Sequence, residues 1–471
     1  MPTPTNITFR CKFTIPEPST PLHDVISRWS DTKVEKPAIV VVPDSEQDII
    51  QALRYAQENS LRVLPSGGGH GSYVPVTPDT LYLDMSSFDK VNLNEKEQTV
   101  TLEGGVITCE FMKACLDKGY YSCWPNSNAV GVVGFAIGLG NHAFRGFNGV
   151  ASDFIVSCRI ITAEGKLHEL SSASTGDELQ LFHAICGAGH GFGVITSLTL
   201  KVFPVANLNL QDGDRIWVRR LIFPGTQITA VASVFAGLPE PSPQTMAVAV
   251  LARSPPGSPA PGSPMIIISF SYIGPAEDGE KAAKILFDEQ LTSKAIKSET
   301  DSLPLGQMNL ALESFNTHGG YKGLHTAWMN RISLETIQSA YQRWYTLTSS
   351  DDMSNTQLVF LRLNAEKTIS LGKSARGKAS YFQGRDEGVA IVTTTFGSRL
   401  ESTETLAAYV KELFELCGYE EKPLALTTGV LKDALMRGQL KPIRCADQLV
   451  QLKSLKEIWD PSGLFWSPYF T

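Results

Sequence analysis

"LPSGGGHGSY", Leu64 to Tyr73, sets three glycines in a row before a histidine and a fourth glycine after it. Glycine opens backbone conformations closed to other residues and lets the chain approach a ligand closely. Successive bare N–H groups in such a turn form a concave anion site. Before the turn, "LRVLP" reads as a short strand; after it, "DTLYLDMSSF" from Asp79 reads as another. The stretch reads as a phosphate cradle with His70 at its tip.

Around it, from about Pro37 to Pro204, short β runs alternate with helical segments. "AIVVVP" is a strand, and "SEQDIIQALRYAQEN" opens on a Ser N-cap and continues as an amphipathic helix. "QTVTLEGG" reads as strand and "ITCEFMKACLDKG" as a helix closed by Gly119. "SDFIVSCRIITAEGKLHEL" is a pair of strands turning at Glu164-Gly165, "ELQLFHAIC" a helix and "VITSLTLKVFP" a buried strand. The pattern is α+β without a regular βαβ rhythm.

After Pro204 the texture changes. "MAVAVLA" and "MIIISFSYI" read as strands, and the breaker-rich "RSPPGSPAPGSP" between them as an exposed hairpin loop. Helices "GEKAAKILFDEQL" and "SLETIQSAYQRWYTLTS" follow, then strands at "TQLVFLRLN" and "EGVAIVTTTFG" and a helix "STETLAAYVKELFELCG". The tail helix "ADQLVQLKSLKEIW" stops at Asp460-Pro461.

At 471 residues, with 42% hydrophobic and 19% charged side chains, the chain suits a globular enzyme or large binding protein of two or three domains. Its 41 basic and 48 acidic residues form no basic stripe, which argues against nucleic acid as a partner. The first twenty residues lack the apolar run of a secretory signal, and no stretch approaches the ~18–20 apolar residues of a membrane span. The eight cysteines show no CxxC pair, so neither a zinc site nor a disulfide scaffold is expected. These features point to a cytoplasmic protein with no metal and no membrane partner; oligomeric state is not legible.

Two more glycine segments lie downstream, "NAVGVVGFAIGLGNHAFRGFNGVASD" from Asn128 and "CGAGHGFGVIT" from Cys186. The third is no dinucleotide fingerprint, because its order is helix, glycines, strand, and that motif needs strand, glycines, helix. Three such segments in one α+β region suggest one large extended ligand touching backbone at several places.

"PSGGGHGSY", "GVVGFAIGLG", "LFHAICGAGHGFGVITSLTLKVFP" and "LVQLKSLKEIWDPSGLF", in this order, resemble the FAD-linked oxidases of the vanillyl-alcohol oxidase superfamily, most of all the berberine-bridge-enzyme-like branch. The resemblance runs from about Lys36 to Phe465. It implies an α+β fold: a two-subdomain PCMH-type FAD-binding domain over 36–205, after an N-terminal segment 1–35. A substrate domain with an antiparallel sheet flanked by helices would occupy 206–425, and 426–471 would return to the FAD domain.

The same resemblance implies site roles. His70 would bond the flavin's 8-methyl carbon, with Ser66, Gly67, Gly68, Gly69, Gly71 and Ser72 holding the pyrophosphate through backbone amides. Several branch members carry a second tether, a cysteine three residues before the valine of a "VGV" segment; here that valine is Val130 and Ser127 stands at the cysteine's place. A single tether is therefore expected. Val130 leans toward oxygen access. Gly131, Gly134, Gly138, Gly140 and Asn141 would wrap the cofactor, and Val194 and Ile195 would touch its adenine side. His142 and His190 are either ligand-facing or structural.

The implied activity is oxidation of an alcohol or amine of a specialised small molecule by hydride transfer to flavin N5, with O2 as acceptor. Flavin chemistry of this kind also needs a base, commonly Tyr or Glu. The family's segment for it reads "LALTTGVLKDALMRGQLKPIRC" here, without tyrosine or a matching glutamate. Tyr381, in "ASYFQGR" with Gln383 and Arg385, is the first candidate, with Arg385 as its stabilising cation. His318, in "FNTHGGYKGLH" with Tyr321 and His325, is the second. The missing base keeps a non-redox alternative open, a cyclisation on the same fold with flavin structural or absent.

Overall fold

Two sheets that share the glycine turn come first. The computed structural model describes residues 9–210, 213–382, 384–416 and 446–469. A four-stranded sheet orders Lys12–Thr14, Ile39–Val42, Thr80–Asp84 and Arg62–Ser66. Thr80–Asp84 runs parallel to both of its neighbours, and Lys12–Thr14 adds an antiparallel edge. The glycine turn leaves Arg62–Ser66 and carries the chain to Thr80–Asp84 with no helix between them. Ser45 caps helix Glu46–Glu58, and that helix lays Ile49, Ala52, Leu53 and Ala56 against Ile39, Val41, Val63 and Leu81.

The second sheet is antiparallel throughout. Its order is Val91–Asn94, Thr99–Glu103, Val194–Lys201, Ile155–Ile161 and Leu167–Ser171. The hairpin between the last two turns where expected, at Gly165 with φ 70°. Helices Thr108–Leu116 and Gly176–Ala188 cover it around Phe111, Trp124 and Phe182.

The third sheet has seven antiparallel strands: Lys297–Pro304, Arg215–Pro224, Pro264–Tyr272, Thr245–Arg253, Gln357–Leu363, Val389–Gly397 and Tyr321–Met329. Helices Ile228–Ala236, Leu334–Thr348 and Ser402–Leu416 pack one of its faces, through Phe235, Trp344 and Leu413. The class is α+β, with the antiparallel sheet and flanking helices expected. Arg253 pairs with Pro264, so the Pro/Gly/Ser stretch is the loop of a hairpin.

Two local expectations change. "GEKAAKILFDEQL" is not one helix: it divides into Ala276–Ala282, a 3-10 turn Lys284–Phe287 and Glu289–Thr292, which Asp288 restarts by accepting from the Gln290 N–H. Lys297–Pro304, "KSETDSLP", was not read as a strand, since a polar edge strand has no apolar alternation to reveal it. Among the described residues no helix is long and apolar enough to cross a membrane.

Helix Ala446–Trp459 returns the tail to the first sheet, where Val63 donates to the Leu464 carbonyl at 2.8 Å. Lys456 and Asp460 secure it. The ammonium lies 2.5 Å from the carboxylate and also donates to the Gly191 and Phe465 carbonyls. The carboxylate accepts from the Leu464 and Phe465 N–H groups at 2.8 and 2.9 Å. Removing one member of such a buried pair costs about 3–5 kcal/mol. Asp460→Asn should therefore lower stability by about that amount, read as a shifted denaturant midpoint; an unshifted midpoint contradicts this role.

Candidate active site

Four backbone segments meet at the glycine turn so closely that side chains are excluded. A Cβ on Gly68 would lie 2.4 Å from the Ala129 carbonyl and 2.5 Å from the Gly131 nitrogen, and one on Gly67 3.1 Å from the Gly104 carbonyl. A Cβ on Gly104 would sit 2.5 Å from the Ile195 carbonyl, and one on Gly105 2.0 Å from that of Met85. Gly69 holds φ 68°, and a Cβ there would meet the Ser27 carbonyl at 2.6 Å. The glycines thus follow from packing as well as from any ligand.

His70 is enclosed at the tip. Its ring stacks on Trp29 at 5.7 Å and 18°, and meets the edge of His318 at 5.9 Å. Burial, aided by the charges of His318, Lys322 and Arg28, pushes its pKa down to about 3. The ring is neutral at neutral pH.

A segment from before the first long strand and a loop leading into the seven-stranded sheet close over the turn. The buried Arg28 guanidinium donates to the Gly71 carbonyl at 2.5 Å and to that of Val74 at 3.4 Å. The Trp29 N–H donates to the Gly69 carbonyl at 3.2 Å, and the Gly319 N–H to the Arg28 carbonyl at 3.0 Å. Ser30 donates to the Lys322 carbonyl at 2.6 Å. His318 donates to the Gly68 backbone, and burial lowers its pKa. The Lys322 ammonium donates to the Thr317 carbonyl and lies 5.1 Å over the Trp29 ring.

Of the residues singled out in the sequence, Ser66 through Ser72, Val130, Gly131 and His318 come together here. The Ser66 hydroxyl accepts from the Tyr82 phenol at 2.6 Å. A Cβ on Gly134 would meet nothing within 4 Å, which leaves open space on that face of helix Val132–Ile137. Gly138 and Gly140 answer instead to protein neighbours: a Cβ would strike the His190 ring at 2.6 Å and the Ala151 methyl at 2.6 Å. Asn141 accepts from Arg145 at 3.3 Å. Val194 is fully buried in the core of the first sheet, while the Ile195 backbone borders Gly104.

Ser127, at the position of the second tether, donates to the Asn316 side chain. His142 is fully buried and accepts from the Phe144 N–H through Nδ1 at 3.1 Å. His190 lies 3.4 Å from the Tyr73 hydroxyl.

Tyr381, the first candidate base, sits in a buried environment, the core of the second sheet, and burial raises its pKa to about 12. Arg385 is not its cation. That guanidinium forms a two-pronged pair with Asp153 at 2.9 and 3.0 Å and stacks on Phe382. His325 falls on the helix-covered face of its strand, against Thr395 at 3.3 Å. Gln383 and the segment 424–445 lie outside the described residues. Sequence reasoning missed Arg28, Trp29, Lys322 and the pair Gly104-Gly105. The doubled glycine after a strand was the one available signal; the others depend on chain segments remote from the turn.

Residues 37–171 match a family model described as a FAD binding domain. The cradle fits that group: glycine backbones exclude side chains, open space remains at Gly134, and a neutral imidazole stands at the tip. The chain is related to FAD-linked oxidoreductase tazL of Aspergillus terreus, 24% identical over 456 residues, 93% of this chain and 87% of that protein. The curated relatives it resembles most fully are named FAD-linked oxidoreductases. Its fold is similar to that of Physcomitrella patens BBE-like 1, with TM-score 0.77 and 17% identity over 98% of this chain and 96% of that one. Berberine bridge enzyme from Eschscholzia californica has the fold too, with TM-score 0.71 and 15% identity over 98% and 96%.

Burial also depresses two further histidines, His142 to about 3 and His190 to about 4. Below the unfolded value near 6.5 the unfolded chain binds protons that these rings refuse, so stability is full above that pH and is lost as pH falls. Each contributes up to about 1.4 kcal/mol per pH unit. His142→Asn keeps an acceptor for Phe144 and should flatten the loss by one proton's worth. Denaturant midpoints at about pH 7 and about pH 4.5 measure it; an unchanged slope contradicts the assignment.

Proposed function

We propose that this protein is an FAD-dependent oxidase that acts on an alcohol or amine of a small specialised metabolite and uses dioxygen as final acceptor. The observation that carries the reading is His70, buried and neutral in the glycine cradle, with His318 from the approach to the seven-stranded sheet set against it. FAD, when bound, supplies the two-electron acceptor at N5.

The chain's own residues divide the remaining work. Backbone amides of Gly67, Gly68, Gly69 and Gly71 hold the pyrophosphate, as bare N–H groups in a concave turn do. His70 is the single covalent anchor, because a neutral imidazole keeps a nucleophilic lone pair and Ser127 offers no second thiolate. His318 takes the place of Tyr381 as base. One of its nitrogens donates to Gly68, and its lowered pKa leaves the other ready to accept a substrate proton. Val130, adjoining the Gly68 backbone, keeps a small side chain where oxygen access is expected.

The purified protein should be yellow, and the colour should stay with the acid precipitate. In His70→Ala it should pass to the supernatant. Yellow released from the unaltered protein removes the tether from the reading. Anaerobic mixing with candidate substrates should bleach the flavin, and admitting air should restore it with release of peroxide. His318→Ala should slow bleaching about 10²–10⁴-fold, the range for a lost general base, while leaving the flavin bound. Turnover without bleaching overturns the oxidase reading in favour of a non-redox reaction.

A further inference from the structure

The seven-stranded sheet has a second face, and its chemistry is one-sided. Alternation along the strands fixes which residues share it. Ala327, Ile391, Phe360 and Ala249 lie in one row across the register and belong to the helix-covered core. Their neighbours along each strand therefore point the other way. Across the five strands from Pro264–Tyr272 to Tyr321–Met329 that face carries side chains such as Ile267, Val248, Val359, Val392 and Trp328. Among the described residues of these strands, Lys322 is the one ionisable side chain on it.

This face looks toward the FAD-binding half. Arg145, from the second glycine segment, lies 4.8 Å over Trp328. Lys322 lies over Trp29, which stacks on His70, and 5.9 Å from the ring of its cross-strand neighbour Phe396. The charges acting on His70 and His318 from outside the pair are those of Lys322 and Arg28, both cations. Asp31 is the acidic group acting on Lys322, and its carboxylate already accepts from the Gly320 N–H at 2.6 Å. Burial lowers the Lys322 pKa, as expected for an ammonium short of compensating charge. Its side chain has three N–H donors, of which the Thr317 carbonyl takes one.

We infer that Lys322 anchors an ionised oxygen group of the substrate, a carboxylate or acidic enol on an apolar or aromatic body, and that the site rejects ammonium compounds. The inference rests on the oxidase reading for the site's use and narrows its alcohol-or-amine scope to oxygen acids bearing an oxidisable alcohol. A largely apolar wall, interspersed with neutral hydroxyl and amide groups such as Thr326, Thr394 and Gln357, whose single ionisable group is a cation selects in this way on two grounds. The wall favours burial of the substrate's hydrocarbon. The buried cation gains a counter-charge from an anion and repels a second cation in a low-dielectric setting.

Three probes of equal size separate the possibilities: benzoate, benzyl alcohol and benzylamine, titrated by calorimetry into the purified flavin-loaded protein. Benzoate should bind tightest and benzylamine weakest. Lys322→Met should weaken benzoate on the order of 30-fold or more and leave benzyl alcohol nearly unchanged, whereas Lys322→Arg should restore benzoate. Benzylamine binding as well as benzoate overturns the proposal. So does benzoate binding that survives in Lys322→Met, or that is lost in both variants. The readout needs no turnover. Lys322-dependent benzoate binding in a protein whose flavin no substrate bleaches sinks the oxidase reading alone.

Discussion

Backbone touching backbone, with no side chain between, is the constraint on which the rest of the molecule turns. Gly67, Gly68 and Gly69 press against Gly104, Gly131 and the Ser27 carbonyl at separations that one added methyl group would violate. That contact joins the two sheets of the first half, since Gly67 closes one and Gly104 the other. Loss of a glycine here would separate elements whose cores lie on opposite sides of the contact.

The site is then completed by parts that do not belong to the turn. The Arg28–Asp31 segment threads between the turn and the start of Tyr321–Met329, and bonds both. Ser127 and Asn316, and Arg385 and Asp153, tie the halves elsewhere. The pair at Arg385 is nearly fully enclosed, which makes it expensive to break and so a specifier of how the two halves meet. Burial holds His70 neutral, and the cations that add to it come from this closure. Chemistry at the tip thus depends on the seven-stranded sheet being in place.

Leu139 lies between Gly138 and Gly140 in the second glycine segment. It keeps φ 90°, a conformation that favours glycine, although it carries a branched side chain. Such strain costs on the order of 1–3 kcal/mol. Leu139 offsets part of it by packing with Val150 and Phe382 in a small buried cluster. The segment therefore retains the backbone path of a glycine run while using one side chain to meet the second half.

Local chemistry alone determined much of this protein. Ser45 before an amphipathic run, Gly165 between two β runs and the breakers before Pro264 specify a helix start and two hairpins, because capping, φ and pairing there depend on near neighbours. The glycine turn and His70 were legible for the same reason. Tertiary structure decided what surrounds them. Tyr381 is a tyrosine near a cation in the sequence, yet the fold buries it and gives Arg385 to Asp153. Trp29 and Lys322 look ordinary in the chain, yet they flank the site because segments far apart in sequence come together there. The polar edge strand Lys297–Pro304 exists only because Arg215–Pro224 offers it a ladder. Residues that act through their own turn can be read from a sequence; residues that act through a partner remote in the chain take their role from the fold that brings the partner near.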